Sequence, residues 1–156
     1  VKKFLDKTVE DAKKDGYVQI GNIFQETADN EKEHAKMWYK ILEGIGNTED
    51  NLTAAAGGEA YEWQEMYPKK EKKAREEGFD DIAAAFDMVA GIEKEHEERY
   101  KKLLANIKDG IVFSADGDTI WQCSNCGHIV VGSKAPEVCP VCNHPQSYFQ
   151  RKEDNY

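Results

Sequence analysis

The sequence predicts a mainly α protein: a four-helix bundle, its first helix short or incomplete, followed by a small metal-binding domain with short β-strands. Three observations carry this. Residues 1–107 are rich in Ala, Glu, Lys, Leu and Met, with Pro68 as their only proline. Within that stretch, Ala12–Leu42 matches Ala74–Leu104 without a gap at an offset of 62. The 4 cysteines all follow it, in two Cys-x-x-Cys pairs. The change in character after Lys108 divides the chain into a helical domain, 1–108, and a cysteine domain, 109–156.

The helices follow from their breaks. Asp15-Gly16-Tyr17 and Glu77-Gly78-Phe79 each suit a helix C-terminus followed by a tight turn, and Gly44–Asn51 supplies a third break. Four helical pieces result: one before Gly16, one to about Glu43, one from about Leu52 to Glu77, and one from Phe79 to about Ile107. Beyond Lys108, Gly110–Phe113 and Thr119–Trp121 read as short strands around a Ser114–Asp118 turn.

The repeat keeps Gly16/Gly78, Tyr17/Phe79, Ile20/Ile82, Phe24/Phe86 and Leu42/Leu104, spaced as a buried helix face. It also keeps Glu31-x-x-His34 as Glu93-x-x-His96, each pair one turn apart on one side of a helix. Singly, either His suits a polar core; a matched pair points to metal. The third helix adds Glu59 and Glu62. A carboxylate facing a bundle core is costly, and a cation reverses that cost. Two Glu-x-x-His helices plus Glu-bearing helices form the ligand set of a carboxylate-bridged di-metal centre. Glu59 and Glu62 lie 19 and 16 residues before Gly78, and Glu93 lies 15 after it, so antiparallel helices bring these groups and His96 to one level. Glu31 and His34, 15 and 18 residues after Gly16, reach the same level.

The repeat also makes a demand the chain does not meet. The first-helix counterpart of Glu59 falls before Val1. The nearest acids, Asp6 and Glu10, come roughly nine or more positions too late, about 13 Å at 1.5 Å per residue. The expectation is that upstream or internal residues are missing, or that the site has an open position. A start at Val1 rather than Met fits an incomplete upstream end.

Cys123-x-x-Cys126 and Cys139-x-x-Cys142, with twelve residues between the pairs, form two knuckles that fold over one ion in a tetrathiolate site. Disulfides are the competing reading. Zn and Fe both fit four thiolates, and spacing does not choose between them. His128 and His144 are left as surface residues. Trp121 and Phe149 are expected to shield the thiolates; Trp38, Tyr39, Tyr61 and Trp63 to be core or interface aromatics; Glu33, Glu95, Glu97 and Glu98 to be solvated.

Charge bounds the function. With 30 acidic against 21 basic residues and a net charge of −9, little is available to neutralise phosphates, which argues against nucleic acid. No apolar run approaches membrane-spanning length, and no leader pattern is present.

Together, Glu31-x-x-His34, Gly58-Glu59-x-x-Glu62 with Met66-Tyr67-Pro68, Glu93-x-x-His96, Trp121-x-Cys123-x-x-Cys126-Gly127 and Ala135-Pro136-Glu137-x-Cys139-Pro140-x-Cys142 resemble the rubrerythrin family, from about Ala12 to Phe149. The resemblance implies a ferritin-like di-iron domain followed by a rubredoxin-like one-iron domain, with Zn a possible substitute at the cysteines. It implies a cytoplasmic peroxidase reducing hydrogen peroxide to water. Electrons would pass through the iron of the four cysteines from a redox donor, rubredoxin or an NAD(P)H-dependent reductase. Carried over residue by residue, Glu31 and Glu93 would bridge the irons. His34 and Glu62 would be alternative ligands of one iron, exchanging with redox state, and Glu59 and His96 would bind the other. Cys123, Cys126, Cys139 and Cys142 would hold the relay iron. The family's first-helix ligand segment has no match: Val1–Leu5 resembles the family's stretch before that segment, and Ala12–Tyr17 the stretch after it. About twenty residues are therefore expected to be missing between them.

A ferritin-like bundle needs a long crossover before its third helix. Nine steps from Glu43 to Leu52 reach roughly 30 Å, against about 40 Å along helices of this length. A domain-swapped homodimer is the consequence, each site built from the first hairpin of one chain and the second of another. The rival readings are a ferroxidase or iron-handling ferritin relative, and a zinc-ribbon assembly module without catalysis.

Overall fold

The computed structural model describes residues 2–153 and divides into two compact units, Val1–Asp50 and Asn51–Tyr156. The first contains an antiparallel hairpin of α1 (Lys2–Lys14) and α2 (Val18–Ile41). Leu5 and Val9 of α1 and Gly21 and Ala28 of α2 are its buried positions. A Cβ at Gly21 would stand 2.8 Å from Lys13 Cγ and 3.0 Å from the Val9 carbonyl oxygen, so the close approach of the helices requires glycine there.

Another hairpin, which lies in the second unit apart from its first three residues, runs from α3 (Thr48–Tyr61), a π-helical turn (Glu62–Met66) and α4 (Tyr67–Glu76) to α5 (Asp80–Lys108). The sequence repeat is a repeat of backbone geometry. Gly16 has φ +88° and the Tyr17 N–H donates to the Ala12 carbonyl at 2.8 Å; Gly78 has φ +83° and the Phe79 N–H donates to the Ala74 carbonyl at 2.8 Å. Tyr17 (φ −96°, ψ 63°) and Phe79 (φ −96°, ψ 64°) then start the next helix almost identically.

Three details depart from the sequence reading. Helix α3 begins at Thr48 rather than near Leu52, because the Asn47 side chain accepts the Asp50 N–H at 3.0 Å and so caps an earlier turn. The predicted third helix is interrupted by the π turn, in which the Tyr67 N–H donates to the Glu62 carbonyl, five residues back. Pro68 has no N–H to give and crowds the carbonyl four residues before it. A locally wider turn accommodates both. Gly110–Phe113 is not a strand: Gly110, at φ +67°, ends α5, and the Ile111 N–H donates back to the Asn106 carbonyl at 2.9 Å.

Across both hairpins, half of the buried helical positions are alanines: Ala28, Ala56, Ala74 and Ala83. The large apolar side chains Ile20, Ile23 and Trp38 of α2 and Ile82, Met88 and Ile92 of α5 are exposed. No helix among the described residues is long and apolar enough to cross a membrane.

The cysteine module is a three-stranded antiparallel sheet of β1 (Ser114–Cys123), β2 (Ile129–Lys134) and β3 (Phe149–Arg151) in the order β2-β1-β3. The Ser114–Asp118 turn signal lies within β1 as a bulge. Ser114 pairs with Lys134 but Thr119 with Gly132, and Gly117 takes φ +93°. Trp121, Cys123, Ala135, Cys139 and Phe149 form its buried core. Trp121 and Phe149 lie against the cysteines as expected, with the indole N–H donating to the Gly132 carbonyl at 3.0 Å.

Candidate metal centres

The two cysteine knuckles are built alike. Gly127 and Asn143 each take a left-handed conformation, at φ +78° and +57°. The Cys123 N–H donates to the His128 carbonyl at 2.9 Å and the Cys139 N–H to that of His144 at 2.8 Å. The Gly127 N–H returns to Cys123 and the Asn143 N–H to Cys139. These bonds fold each loop back so that both thiols point into the space between the loops.

All four cysteines are free, and their sulfurs lie within 4.8 Å of one another. Cys123–Cys142 and Cys126–Cys139 Sγ pairs stand 3.7 Å apart. A tetrahedron with metal–sulfur bonds of about 2.3 Å has edges of about 3.75 Å, so the donor set fits a tetrathiolate ion and not a disulfide. Without a cation the thiols compete for protons. At Cys126 a backbone hydrogen bond from His128 pulls the pKa down, but burial and the neighbouring thiols outweigh it and push it up to about 12. At Cys142 a backbone hydrogen bond from His144, helped by the other thiols, pulls it down to about 6. His128 and His144 are half-buried rather than surface residues; the His144 ring packs edge-on against Tyr148, with centroids 4.4 Å apart.

In the second hairpin, Glu59 of α3 and Glu93 and His96 of α5 bring their donor atoms within 4.8 Å of one another. His96 Nδ1 lies 2.8 Å from Glu93 Oε2 and 3.7 Å from Glu59 Oε1. Burial first, then the charge of Glu93, raises the Glu59 pKa, and the two carboxyls share a hydrogen bond. The donor set of two carboxylates and an imidazole fits a hard or borderline metal such as iron. Glu62 is near enough for its charge to raise the Glu59 pKa further, yet its oxygens lie outside the three-residue cluster. Glu31 and His34 belong to the first unit, where His34 Nδ1 and Glu31 Oε2 are 3.7 Å apart on one face of α2. Glu10 pairs with Lys14 at 3.8 Å on the exposed side of α1.

Two features escaped the sequence reading. Tyr67 is hydrogen-bonded through its hydroxyl to Glu93, and burial and the surrounding carboxylates raise its pKa. On an uninterrupted α-helix Tyr67 would sit about 80° around from Glu59; the extra residue of a π turn brings it back to within about 20°. A proline shortly beyond an acidic pair was the available signal. The other is Glu97, expected to be solvated. It is buried instead, accepts the Trp63 indole N–H at 2.6 Å and is paired with Lys101.

The rubrerythrin family model matches residues 4–104, and the rubrerythrin rubredoxin-like domain matches residues 121–150. A rubrerythrin of Porphyromonas gingivalis is 48% identical, covering 93% of this chain and 79% of that protein. Rubrerythrin-1 of Clostridium acetobutylicum is 49% identical, covering 93% and 83%, and a rubrerythrin of Nitratidesulfovibrio vulgaris 47% identical, covering 89% and 80%. The first of these alignments runs over 158 positions, more than 93% of 156 residues can fill, so that relative carries residues within the matched span that this chain lacks.

Proposed function

We propose, on the premise that this chain belongs to the rubrerythrin family, that it is a non-haem di-iron peroxidase reducing hydrogen peroxide to water. The observation that carries the reading is the pairing, in one chain, of a tetrathiolate donor set with a carboxylate–imidazole donor set. Iron storage needs no thiolate module, and a zinc ribbon needs no cluster of Glu59, Glu93 and His96.

Cys123, Cys126, Cys139 and Cys142 would hold one iron. Glu59, Glu93 and His96, with Glu62 beside them and Glu31 and His34 from a first hairpin, would hold two more. When bound, the paired irons would supply the two electrons that O–O cleavage takes, and iron at the cysteines would relay their replacements from a donor, rubredoxin or an NAD(P)H-dependent reductase. The protein's own groups orient the ligands. The Tyr67 hydroxyl donates to Glu93 and fixes the direction of that carboxylate. Four free thiols, converged rather than bridged, support a reducing, cytoplasmic setting.

A domain-swapped homodimer completes the reading. The linker 42–47 between α2 and α3 spans roughly 23 Å in seven steps, whereas α5 with 29 residues is about 44 Å long. The exposed apolar faces of α2 and α5 are further support, since contiguous apolar helix faces mark an interface.

The test is a single turnover of fully reduced dimer under anaerobic conditions. The expected result is consumption of one hydrogen peroxide per Glu/His centre, faster than the reaction with oxygen. Cys126→Ser is expected to leave that turnover intact and to slow re-reduction. A protein that reacts with oxygen and not with peroxide would instead be a ferroxidase.

A further inference from the structure

Glu97 is the one buried charged residue among those described, with 5% of its surface exposed. An ionised carboxylate removed from water needs both oxygens engaged. Oε2 accepts the Trp63 indole N–H at 2.6 Å, and Oε1 pairs with Lys101 Nζ. Lys94 Nζ lies over the face of the same indole, 5.6 Å from the ring centroid. In the chain, Lys94 follows Glu93, Glu97 follows His96, and Trp63 follows Glu62. The indole is therefore held by the immediate neighbours of two members of the Glu/His cluster. It is itself part of the π turn that begins at Glu62.

The hairpin fold alone does not require this arrangement. At the repeat offset of 62, Glu97 corresponds to Ala35 and Lys101 to Tyr39, yet the first hairpin makes the same glycine turn and helix start. A π turn carries poorer backbone bonding than the α-helix it interrupts, and it persists where its surroundings hold it.

We propose that the Trp63–Glu97 hydrogen bond is a latch that pins the π turn to α5 and so sets where Glu62 stands relative to Glu59, Glu93 and His96. This rests on the reading of that cluster as a metal centre. Trp63 and Glu97 are positioning residues, acting through the backbone of the π turn on Glu62.

The test uses full-length protein with its cysteine site already filled, titrated anaerobically with ferrous iron. Trp63→Phe keeps a ring and removes the donor; Glu97→Leu removes the acceptor; Glu97→Gln keeps an acceptor and removes the charge facing Lys101. Trp63→Phe and Glu97→Leu are expected to weaken iron binding at the Glu/His centre about ten-fold or more. They are also expected to change the ferrous coordination seen by near-infrared magnetic circular dichroism. Cysteine-site absorption and helix content should remain unchanged. Glu97→Gln is expected to bind iron like the unsubstituted protein. Wild-type affinity and spectrum in Trp63→Phe would overturn the latch, as would Glu97→Gln failing as badly as Glu97→Leu. Unsubstituted protein that takes up no iron beyond the cysteine site would overturn the metal-centre reading first, and the latch with it.

Discussion

The cysteine site and the Glu/His site differ in how far along the chain their ligands are gathered. Cys123 to Cys142 span 20 residues of one small sheet module, and all four sulfurs converge within that module. The proposed carboxylate and histidine ligands run from Glu31 to His96 in the chain, and of these Glu59, Glu93 and His96 converge within the second hairpin. A short ligand set is closed by local backbone hydrogen bonds, such as those of Gly127 and Asn143. A distributed one needs helix packing, and here helix faces bearing Ile20, Trp38, Ile82 and Ile92 are still open. Completeness of a site is thus a matter of how much packing its ligands depend on, not only of which ligands are present.

The largest break in this contrast comes from Cys139→Ser. Binding of this kind is worth on the order of 10 kcal/mol to a small module, so circular dichroism and the Trp121 fluorescence should report unfolding of the sheet while the helices remain. His96→Ala is expected to do the reverse: at least about 100-fold weaker iron binding at the Glu/His centre, measured by competitive chelation, with the cysteine iron untouched.

Proton linkage sharpens the contrast further. Burial and then Glu93 raise the Glu59 pKa, so protons compete with metal there and affinity at this centre should fall as pH is lowered, beginning above the ordinary glutamate range. At Glu97 the sign for folding is opposite to that of a raised carboxyl. Lys101 and then Trp63 hold its pKa below the ordinary value. Its stabilisation is fully present above about pH 4.3 and is lost as pH falls through the lower folded value. Glu97→Gln should remove that part of the acid dependence in urea melts.

How much of this the sequence discloses divides in the same way. The cysteine pairs and the twice-occurring Glu-x-x-His were legible because spacing alone fixes them. The glycine turns at Gly16 and Gly78 were legible because only glycine takes that φ readily. Glu97 was not, since it stands in a run with Glu93, Glu95 and Glu98, and only its alignment with Trp63 across the π turn distinguishes it. Tyr67 was hidden for the same reason, its helical phase being set by one extra residue in that turn. The Ser114–Asp118 turn signal was real but became a bulge, because the β2 partner continues past it.

The smallest expected effect compares the two knuckles directly. Asn143 holds the left-handed position that Gly127 holds in the other, so Asn143→Ala should cost about 1–2 kcal/mol in thermal or urea unfolding and Asn143→Gly much less.

The most direct test of the contrast is iron and zinc per chain, measured with the oligomeric state on protein purified without added metal. Close to three irons per chain in a dimer is the predicted result, with the distributed site filled once its helix faces are covered. One metal per chain in that dimer, held by the cysteines alone, would contradict it.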